Sequence, residues 1–289
     1  GNAFQLTVNA PSLAQIGFGL AGDLQAHFTL NGDLKSPNFD LQLKSRHLSL
    51  PGNQRLSGLV ANGRLSNDTM SLKIAIENYA VHHKATLQYL NITADGKISD
   101  HTLLAKTRIN NEVSVQLKAT GGVSEKTPLQ SLRWNGQLTE LSSVGKIPVH
   151  LVAPTTFSIS PELISLDQAK LSISEGFMHI DQLQWTPKTW KTRGHLSGIA
   201  LSPGEHQESK QPLLHLGGHW DFASNAELTG NLQIHREKGD WYLPGEIPQP
   251  LGLEIIQLKV AAQHGKITGG FELSSKNIGT ANAHLTLPI

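Results

Sequence analysis

Apolar and polar residues alternate with a period of two along most of this chain. In one stretch Phe39, Leu41 and Leu43 are separated by single polar residues. Because successive side chains of a strand point to opposite faces, the pattern predicts half-buried strands with one apolar and one polar face. The alternation places these residues on apolar faces: Phe39, Leu41, Leu43, Leu72, Ile74, Ile76, Val113, Val115, Leu117, Leu171, Ile173, Met178, Ile180, Phe271, Leu273, Leu285 and Leu287.

Pairs of residues that favour tight turns fall between many of these runs. They are Asn31-Gly32, Asn62-Gly63, Asp95-Gly96, Asn135-Gly136 and Gly239-Asp240. Such pairs supply the positive φ angles of hairpin turns, so they predict strands that are mostly antiparallel neighbours. One or two helical turns are expected between Pro11 and Gly17, whereas the stretch 251–262 alternates as a strand does.

The strand pattern predicts an all-β chain, and composition narrows the architecture. Aromatic residues make up 6% of the chain, fewer than the aromatic girdles of a membrane barrel require. No fixed short repeat of a parallel β-helix is found. A sandwich, in which the apolar face meets a second sheet, and an open, curved sheet both remain consistent with the alternation. We expect one continuous β-repeat segment over 1–289, with loop excursions at 202–212 and 245–250.

Charge and cysteine content exclude several functions. The 24 basic and 23 acidic residues nearly balance, so there is no field to attract nucleic acid. The absence of cysteine removes disulfides, thiolate metal sites and cysteine nucleophiles, and it suits an oxidising compartment. No phosphate-binding loop, nucleophile elbow or zinc-binding helix motif occurs. We therefore expect no enzyme activity, no cofactor and no nucleic-acid partner.

The 14 histidines and five tryptophans are the remaining candidates for chemistry. His82-His83 and the pair His215 and His219 have the best spacing for a metal. Four residues along a strand span roughly 13 Å, too far for two ligands of one ion, so no metal site is predicted. The tryptophans are expected to anchor packing at sheet margins, with sugar stacking as the alternative. Because the chain opens and closes in the middle of the alternation, it is expected to be a segment of a longer protein.

Several stretches resemble the TamB family of AsmA-like proteins. The resemblance begins with Ala10-Pro11-Ser12-Leu13-Ala14-Gln15-Ile16-Gly17 and continues through Leu30-Asn31-Gly32-Asp33-Leu34. Further on it includes Leu132-Arg133-Trp134-Asn135-Gly136, Trp190-Lys191-Thr192-Arg193-Gly194, and Leu228-Thr229-Gly230-Asn231-Leu232. The stretches are individually short, and their order along nearly the whole chain carries the resemblance.

The resemblance implies an elongated, curved, mostly antiparallel sheet that forms a trough with an apolar concave face, shaped like a β-taco. It implies a periplasmic segment of an inner-membrane-anchored protein, with an outer-membrane barrel of the TamA type as partner. The implied function is to carry phospholipid acyl chains between the inner and outer membranes, in outer-membrane assembly, with the 17 apolar residues above as representatives of the lipid groove. The alternative is a structural or chaperone scaffold for outer-membrane proteins that acts through protein contacts.

Overall fold

Antiparallel strands account for most of the chain in the computed structural model. The structure describes residues 3–16, 18–32, 38–81, 84–123, 133–145, 147–201, 213–243 and 249–288. These residues fall into two compact units, Gly1–Pro148 and Val149–Ile289. Every strand pairing within them is antiparallel, so the predicted all-β class and antiparallel pairing are confirmed.

Unit 1 is a meander in which strands pair with near neighbours along the chain. Its strands are β1 (Ala3–Ala10), β2 (Ala21–Gly22), β3 (Leu24–Asn31), β4 (Asn38–Leu50), β5 (Gln54–Ser66), β6 (Thr69–Ile76), β7 (Asn78–Val81), β8 (Lys84–Lys97), β9 (Asp100–Ile109), β10 (Val113–Val123) and β11 (Trp134–Val144). Their order is β1, β3, β4, β5, β6, β8, β9, β10, β11. The predicted helical turns are present as a 3₁₀ helix at Leu13–Ile16.

Two long strands of unit 1 each pair along one side with two shorter strands. β2 and β3 both pair with β4, and β6 and β7 both pair with β5. Between β2 and β3 the carboxylate of Asp23 accepts hydrogen bonds from the amides of Arg46 (3.2 Å) and His47 (3.1 Å). These bonds hold the pKa of Asp23 below its usual value. The Asp23 carboxylate thus accepts hydrogen bonds from β4 amides at the point between β2 and β3, where neither short strand pairs with β4.

Unit 2 repeats the meander with an excursion near its middle. Its strands are β12 (Val149–Leu151), β13 (Thr155–Ile159), β14 (Ile164–Ile173), β15 (Gly176–Trp185), β16 (Thr189–Leu201), β17 (Leu214–Asn225), β18 (Glu227–Lys238), β19 (Tyr242–Leu243), β20 (Gln249–Pro250), β21 (Leu253–Gln263), β22 (Lys266–Ser275) and β23 (Gly279–Pro288). β12 and β13 both pair with β14, and the order then runs β14, β15, β16, β17, β18, β21, β22, β23.

The excursion of unit 2 is a small two-stranded pair, β19 with β20. The carboxylate of Asp240 closes its base by accepting hydrogen bonds from the amides of Trp241 (2.8 Å), Gly252 (2.8 Å) and Leu253 (3.1 Å). The predicted loop at 245–250 falls here: its last two residues form β20, while 245–248 lie outside the described residues. The predicted loop at 202–212 lies outside them entirely.

Four of the five predicted hairpin turns are wrong. Gly239-Asp240 lies between β18 and β19, which do not pair with each other among the described residues. The other three pairs, Asn62-Gly63, Asp95-Gly96 and Asn135-Gly136, lie inside β5, β8 and β11. Each of these glycines is on the apolar face, where a missing side chain leaves room for a larger neighbour. The end of Leu72, for example, is 3.5 Å from the position a Cβ of Gly63 would take.

The actual reversals use less obvious pairs. Asn67-Asp68 joins β5 to β6, Asn110-Asn111 joins β9 to β10, and His264-Gly265 joins β21 to β22, all with positive φ angles. Asparagine and aspartate tolerate that region better than other residues with a side chain, so two reversals form without glycine. The stretch predicted to alternate as a strand, 251–262, does so as β21.

Neither unit has a sealed core among the residues described. No large side chain there is less than 2% exposed, and the most buried apolar side chains are small, such as Ala119 at 0% and Ala94 at 2%. A sandwich would bury the large residues of its inner faces completely, because a second sheet packs against them. The burial pattern therefore matches a sheet whose apolar face has no second sheet packed along it.

Candidate functional site

Cross-strand register assembles the apolar residues of unit 1 on one face of its sheet. Residues directly opposite each other in a ladder have their side chains on the same face. Three rows cross nine strands: Phe4, Leu30, Phe39, Leu65, Met70, Gly96, His101, Gly121, Gly136; then Leu6, Phe28, Leu41, Gly63, Leu72, Ala94, Leu103, Ala119, Leu138; then Val8, Ala26, Leu43, Ala61, Ile74, Ile92, Ala105, Leu117, Leu141. We call this surface the unit 1 apolar face.

His101 is the single polar side chain in these three rows. It is 7% exposed, and its two ring nitrogens are both occupied. Trp134 Nε1 donates to His101 Nε2 at 2.9 Å, and His101 Nδ1 lies 3.0 Å from the carbonyl of Lys97. The neutral ring with its proton on Nδ1 fits both bonds, so the histidine is a satisfied packing residue at one margin of the face.

All nine residues that the sequence predicts for the groove in this half lie on the unit 1 apolar face. Phe39, Leu41 and Leu43 follow one another along β4, and Leu72 and Ile74 are in the same rows on β6. Ile76, Val113, Val115 and Leu117 continue the face along β6 and β10. Their contact with lipid stays a prediction, as does the concave curvature of this face.

Unit 2 carries an equivalent face across eight strands. Its rows are Leu171, Met178, Leu196, Gly218, Ile234, Leu258, Phe271, Ala283; then Ala169, Ile180, Gly194, Trp220, Leu232, Val260, Gly269, Leu285; then Leu166, Leu183, Thr192, Phe222, Gly230, Ala262, Ile267, Leu287. The remaining predicted residues, Ile173 and Leu273, continue it along β14 and β22. We call this surface the unit 2 apolar face.

The sequence prediction missed many members of both faces. The missed residues include Phe28, Leu103 and Leu138 in unit 1, and Ile234 and Leu258 in unit 2. The same alternation marks them, so the signal was present. What alternation does not contain is register, which decides the neighbours of each residue across the sheet.

Glycines interrupt both faces and make room for tryptophans. A Cβ on Gly194 would lie 2.4 Å from Trp220 Cζ2, and one on Gly136 would lie 2.3 Å from Trp134 Cη2. Trp220 also donates from Nε1 to Thr192 Oγ1 at 3.0 Å. These two tryptophans therefore pack along the sheet, whereas Trp185 and Trp190, paired at the tip of the β15–β16 hairpin, are 44% and 37% exposed.

The opposite face of unit 2 carries a row of basic and polar side chains. The row contains Lys170, His179, His195, His219, Gln233, Lys259, Gly270 and His284. The rings of His179 and His195 stack, with centroids 4.4 Å apart and an interplanar angle of 9°. Burial, together with the nearby His195 and Lys170, lowers the pKa of His179 below its ordinary value.

The structure gives no support to a metal centre in the part of the chain it describes. There, no three histidine, aspartate or glutamate side chains are grouped closely enough to bind an ion. His215 Nδ1 lies 3.2 Å from the carbonyl oxygen of Gly198, and His215 Nε2 lies 3.8 Å from the carboxylate of Glu175. Its ring therefore interacts with these groups and not with His219. His82-His83 lies outside the described residues. No helix in the described ranges is long and apolar enough to cross a membrane.

Comparison with known proteins gives two matches. Residues 2–177, more than half of the chain, match the family described as the N-terminal domain of TamB. The chain is also similar to the translocation and assembly module subunit TamB of Haemophilus influenzae, with 26% identity over 142 residues. That alignment covers 48% of this chain and 10% of the relative, so the chain matches about a tenth of the relative's length. No solved structure matches.

Proposed function

The chain belongs to the TamB family, and we propose that its two apolar faces carry phospholipid acyl chains through the periplasm, between the inner and outer membranes. One observation supports this proposal most directly: the rows of the unit 1 apolar face run unbroken across nine strands, and the burial of the described residues matches a face without a second sheet packed on it. Strands about 4.8 Å apart make this face roughly 38 Å wide across the strands. An acyl chain can lie on such a surface without meeting a buried charge.

The free energy of hydration is the physical reason for such a surface. Each CH₂ kept out of water contributes roughly 0.8 kcal/mol, so a whole acyl chain does not enter an aqueous compartment unassisted. Side chains on the two faces are mostly Leu, Ile, Val, Ala and Gly, and they differ little from row to row. A uniform apolar surface lets a lipid slide between equivalent positions, because no single pocket holds it much more tightly than the next.

The most sensitive test places charge on the face and compares it with the same charge on the polar side. Leu41→Glu with Ile92→Glu puts two carboxylates in neighbouring rows of the unit 1 apolar face. Gln42→Glu with Asn91→Glu puts the same charges on adjacent, exposed positions of the same two strands. We expect the first variant to lose phospholipid that co-purifies with the chain, as measured by extraction and mass spectrometry, and the second to retain it.

The comparison requires that both variants have the same strand content as the unaltered chain, measured by far-ultraviolet circular dichroism. Equal lipid in both variants and the unaltered chain would contradict the proposal, and so would a lipid-free unaltered chain. In cells that express the full-length protein, the same apolar-face substitutions should block phospholipid transfer between the two membranes. Unaltered transfer in those cells would show that phospholipid does not move along this face.

A second candidate function is a scaffold for nascent outer-membrane proteins. Within the described residues β23 pairs with β22 along one side, and all ten of its residues are exposed. An exposed strand of this kind is a template for adding a strand from another polypeptide. His284→Pro would test it: capture of unfolded barrel strands should fall, while lipid binding by the unit 1 apolar face should be unaffected.

The partner proposed for the whole protein is an outer-membrane barrel of the TamA type. The name of the Haemophilus influenzae relative makes that protein a subunit of a translocation and assembly module. We place this chain in the same module, in the periplasm, on the inner-membrane side of that barrel. Crosslinking of full-length protein in cells, with a photoreactive residue in β23, would test whether the barrel or another periplasmic segment lies beside this edge.

A further inference from the structure

The polar face of unit 2 contains a depression that the apolar faces do not explain. It has a volume of about 400 Å³ and lies over β18, β21, β22 and β23, on the side of the sheet opposite Leu232 and Val260. Gly270 and Ala261 form its floor. The polar side chains around it are His219, Asn231, Gln233, Lys259, Thr268 and His284.

Gly270 is present without a structural need for glycine. Its φ angle is not in the left-handed region, and the nearest atom to an added Cβ would be Nδ1 of His284 at 3.6 Å, an ordinary contact. Glycine inside a strand costs about 0.5–1 kcal/mol relative to alanine, and it often marks a position where another molecule approaches the backbone. Gly194 and Gly218 differ, because a Cβ there would overlap backbone atoms of the next strand at 2.2 and 2.3 Å.

Most side chains around the depression have hydrogen-bond donors that no described residue of the protein accepts. Lys259, His219, His284, Asn231 and Gln233 make no hydrogen bond or ion pair with any residue the structure describes. No carboxylate is among the described residues that line it. Asp221 is the cross-strand partner of Asn231, and Glu272 lines an adjoining depression of about 170 Å³ that shares Lys259, Gly270 and His284.

The comparable depression of unit 1 is lined by a carboxylate, that of Asp40, as well as by basic side chains. It has a volume of about 320 Å³ and also lies on the polar face. There Arg64 Nη2 forms an ion pair with Asp40 at 3.0 Å, and Ser71 donates to Asp95 at 2.6 Å. Lys73 also lines the unit 1 depression and makes no ion pair with a described residue, so the two depressions differ in their carboxylates: Asp40 lines the first, and none lines the second.

We infer that the depression over Gly270 binds a phosphate group, with Lys259 as the charged contact and the imidazoles and amides around it as hydrogen-bond donors. A phosphate group offers several acceptor oxygens and negative charge, which match a lysine and converging N–H groups. Because Gly270 has no side chain, the phosphate group can approach the backbone of the sheet closely at this position. Both a soluble phosphate ester and the headgroup of a phospholipid present this chemistry.

The test compares two probes on the whole chain and three variants. Inorganic phosphate is titrated and followed by amide and imidazole NMR shifts, and vesicles of phosphatidylglycerol are used in a sedimentation assay. Lys259→Met removes the charge, and Gly270→Val fills the floor. Lys266→Met is the matched control, because it removes the same charge from an exposed lysine of β22 that lies outside the depression.

We expect Lys259→Met and Gly270→Val each to weaken binding at least about tenfold, and Lys266→Met to bind as the unaltered chain does. Gly270→Ala replaces Gly270→Val if the larger change alters the circular dichroism spectrum. Binding of inorganic phosphate shows that the phosphate group alone is a sufficient ligand. Binding of vesicles alone identifies a lipid headgroup when Lys259→Met weakens it. Binding of neither probe, or binding that Gly270→Val leaves unchanged, would overturn the inference.

Discussion

Two glycines in one row of the unit 2 apolar face should respond oppositely to the same substitution. Gly194 and Gly269 both lie in the row that contains Trp220. A Cβ at Gly194 would lie 2.2 Å from the carbonyl oxygen of His179 and 2.4 Å from Trp220. A Cβ at Gly269 would meet nothing nearer than Leu285 at 3.9 Å. Alanine is therefore crowded at the first position and accommodated at the second.

The expected magnitudes follow from these contacts. Gly194→Ala should lower the free energy of unfolding by about 1–3 kcal/mol, the usual cost of overpacking, because backbone and indole must both shift. Gly269→Ala should raise it by about 0.4–1 kcal/mol, since alanine restricts the unfolded chain and fits the folded one. The difference between the two variants is then about 1.4–4 kcal/mol.

Urea unfolding followed by far-ultraviolet circular dichroism measures both changes on one scale. Trp220→Phe combined with Gly194→Ala should recover part of the loss, because the smaller ring frees the space beside position 194. Recovery should stay incomplete, since the carbonyl of His179 does not move with the ring. Equal stability of Gly194→Ala and Gly269→Ala would refute the reasoning from close approach across the strands.

Three further predictions concern polar groups. Asp240→Ala should lower the free energy of unfolding by about 1–3 kcal/mol and speed hydrogen exchange at the three amides its carboxylate accepts from, and unchanged exchange would contradict that role. Trp134→Phe should cost about 1–3 kcal/mol in urea unfolding, because it leaves Nε2 of the buried His101 without its donor. The lowered pKa of His179 means that its stabilising contribution is present above the ordinary value of 6.5 and is lost as pH falls through the folded-state pKa. His195→Asn should raise the pKa of His179 in an NMR titration, and an unchanged value would exclude electrostatic coupling between the stacked rings.

Alternation alone was sufficient to predict the strands and the sorting of residues such as Leu41 and Ile74 to one face. Its success has a physical basis, because the period of two is fixed by the backbone and holds whatever a strand pairs with. The prediction of turns failed at glycines that lie inside strands and leave room for a larger neighbour. Gly63, Gly96 and Gly136 carry the same local signal as hairpin glycines, yet they lie inside strands. Leu72 of the next strand lies beside Gly63, and Trp134 of the same strand lies beside Gly136.

Features that depend on cross-strand register could not be predicted from the alternation of apolar and polar residues. The depression over Gly270 exists because three strands bring Lys259, Gly270 and His284 into one row, although these residues are 11 to 25 positions apart in the sequence. The stacked pair His179 and His195 depends in the same way on the register of β15 and β16. A shift of one of these strands by a single residue would move its whole apolar set to the other side and remove the feature to which that strand contributes.

The meander described for unit 1 also bears on how such a chain acquires its structure. Among the residues that the structure describes in unit 1, strands pair with the next strand or the next but one, so each new strand finds its partner in the segment completed just before it. Contacts close in sequence favour rapid folding, because little chain entropy is lost before the first interactions form. A polypeptide that emerges gradually from a membrane could then fold from its first strands onward, each hairpin extending the edge left by the last. Order of synthesis and order of assembly would coincide, and no segment would have to wait for a distant one.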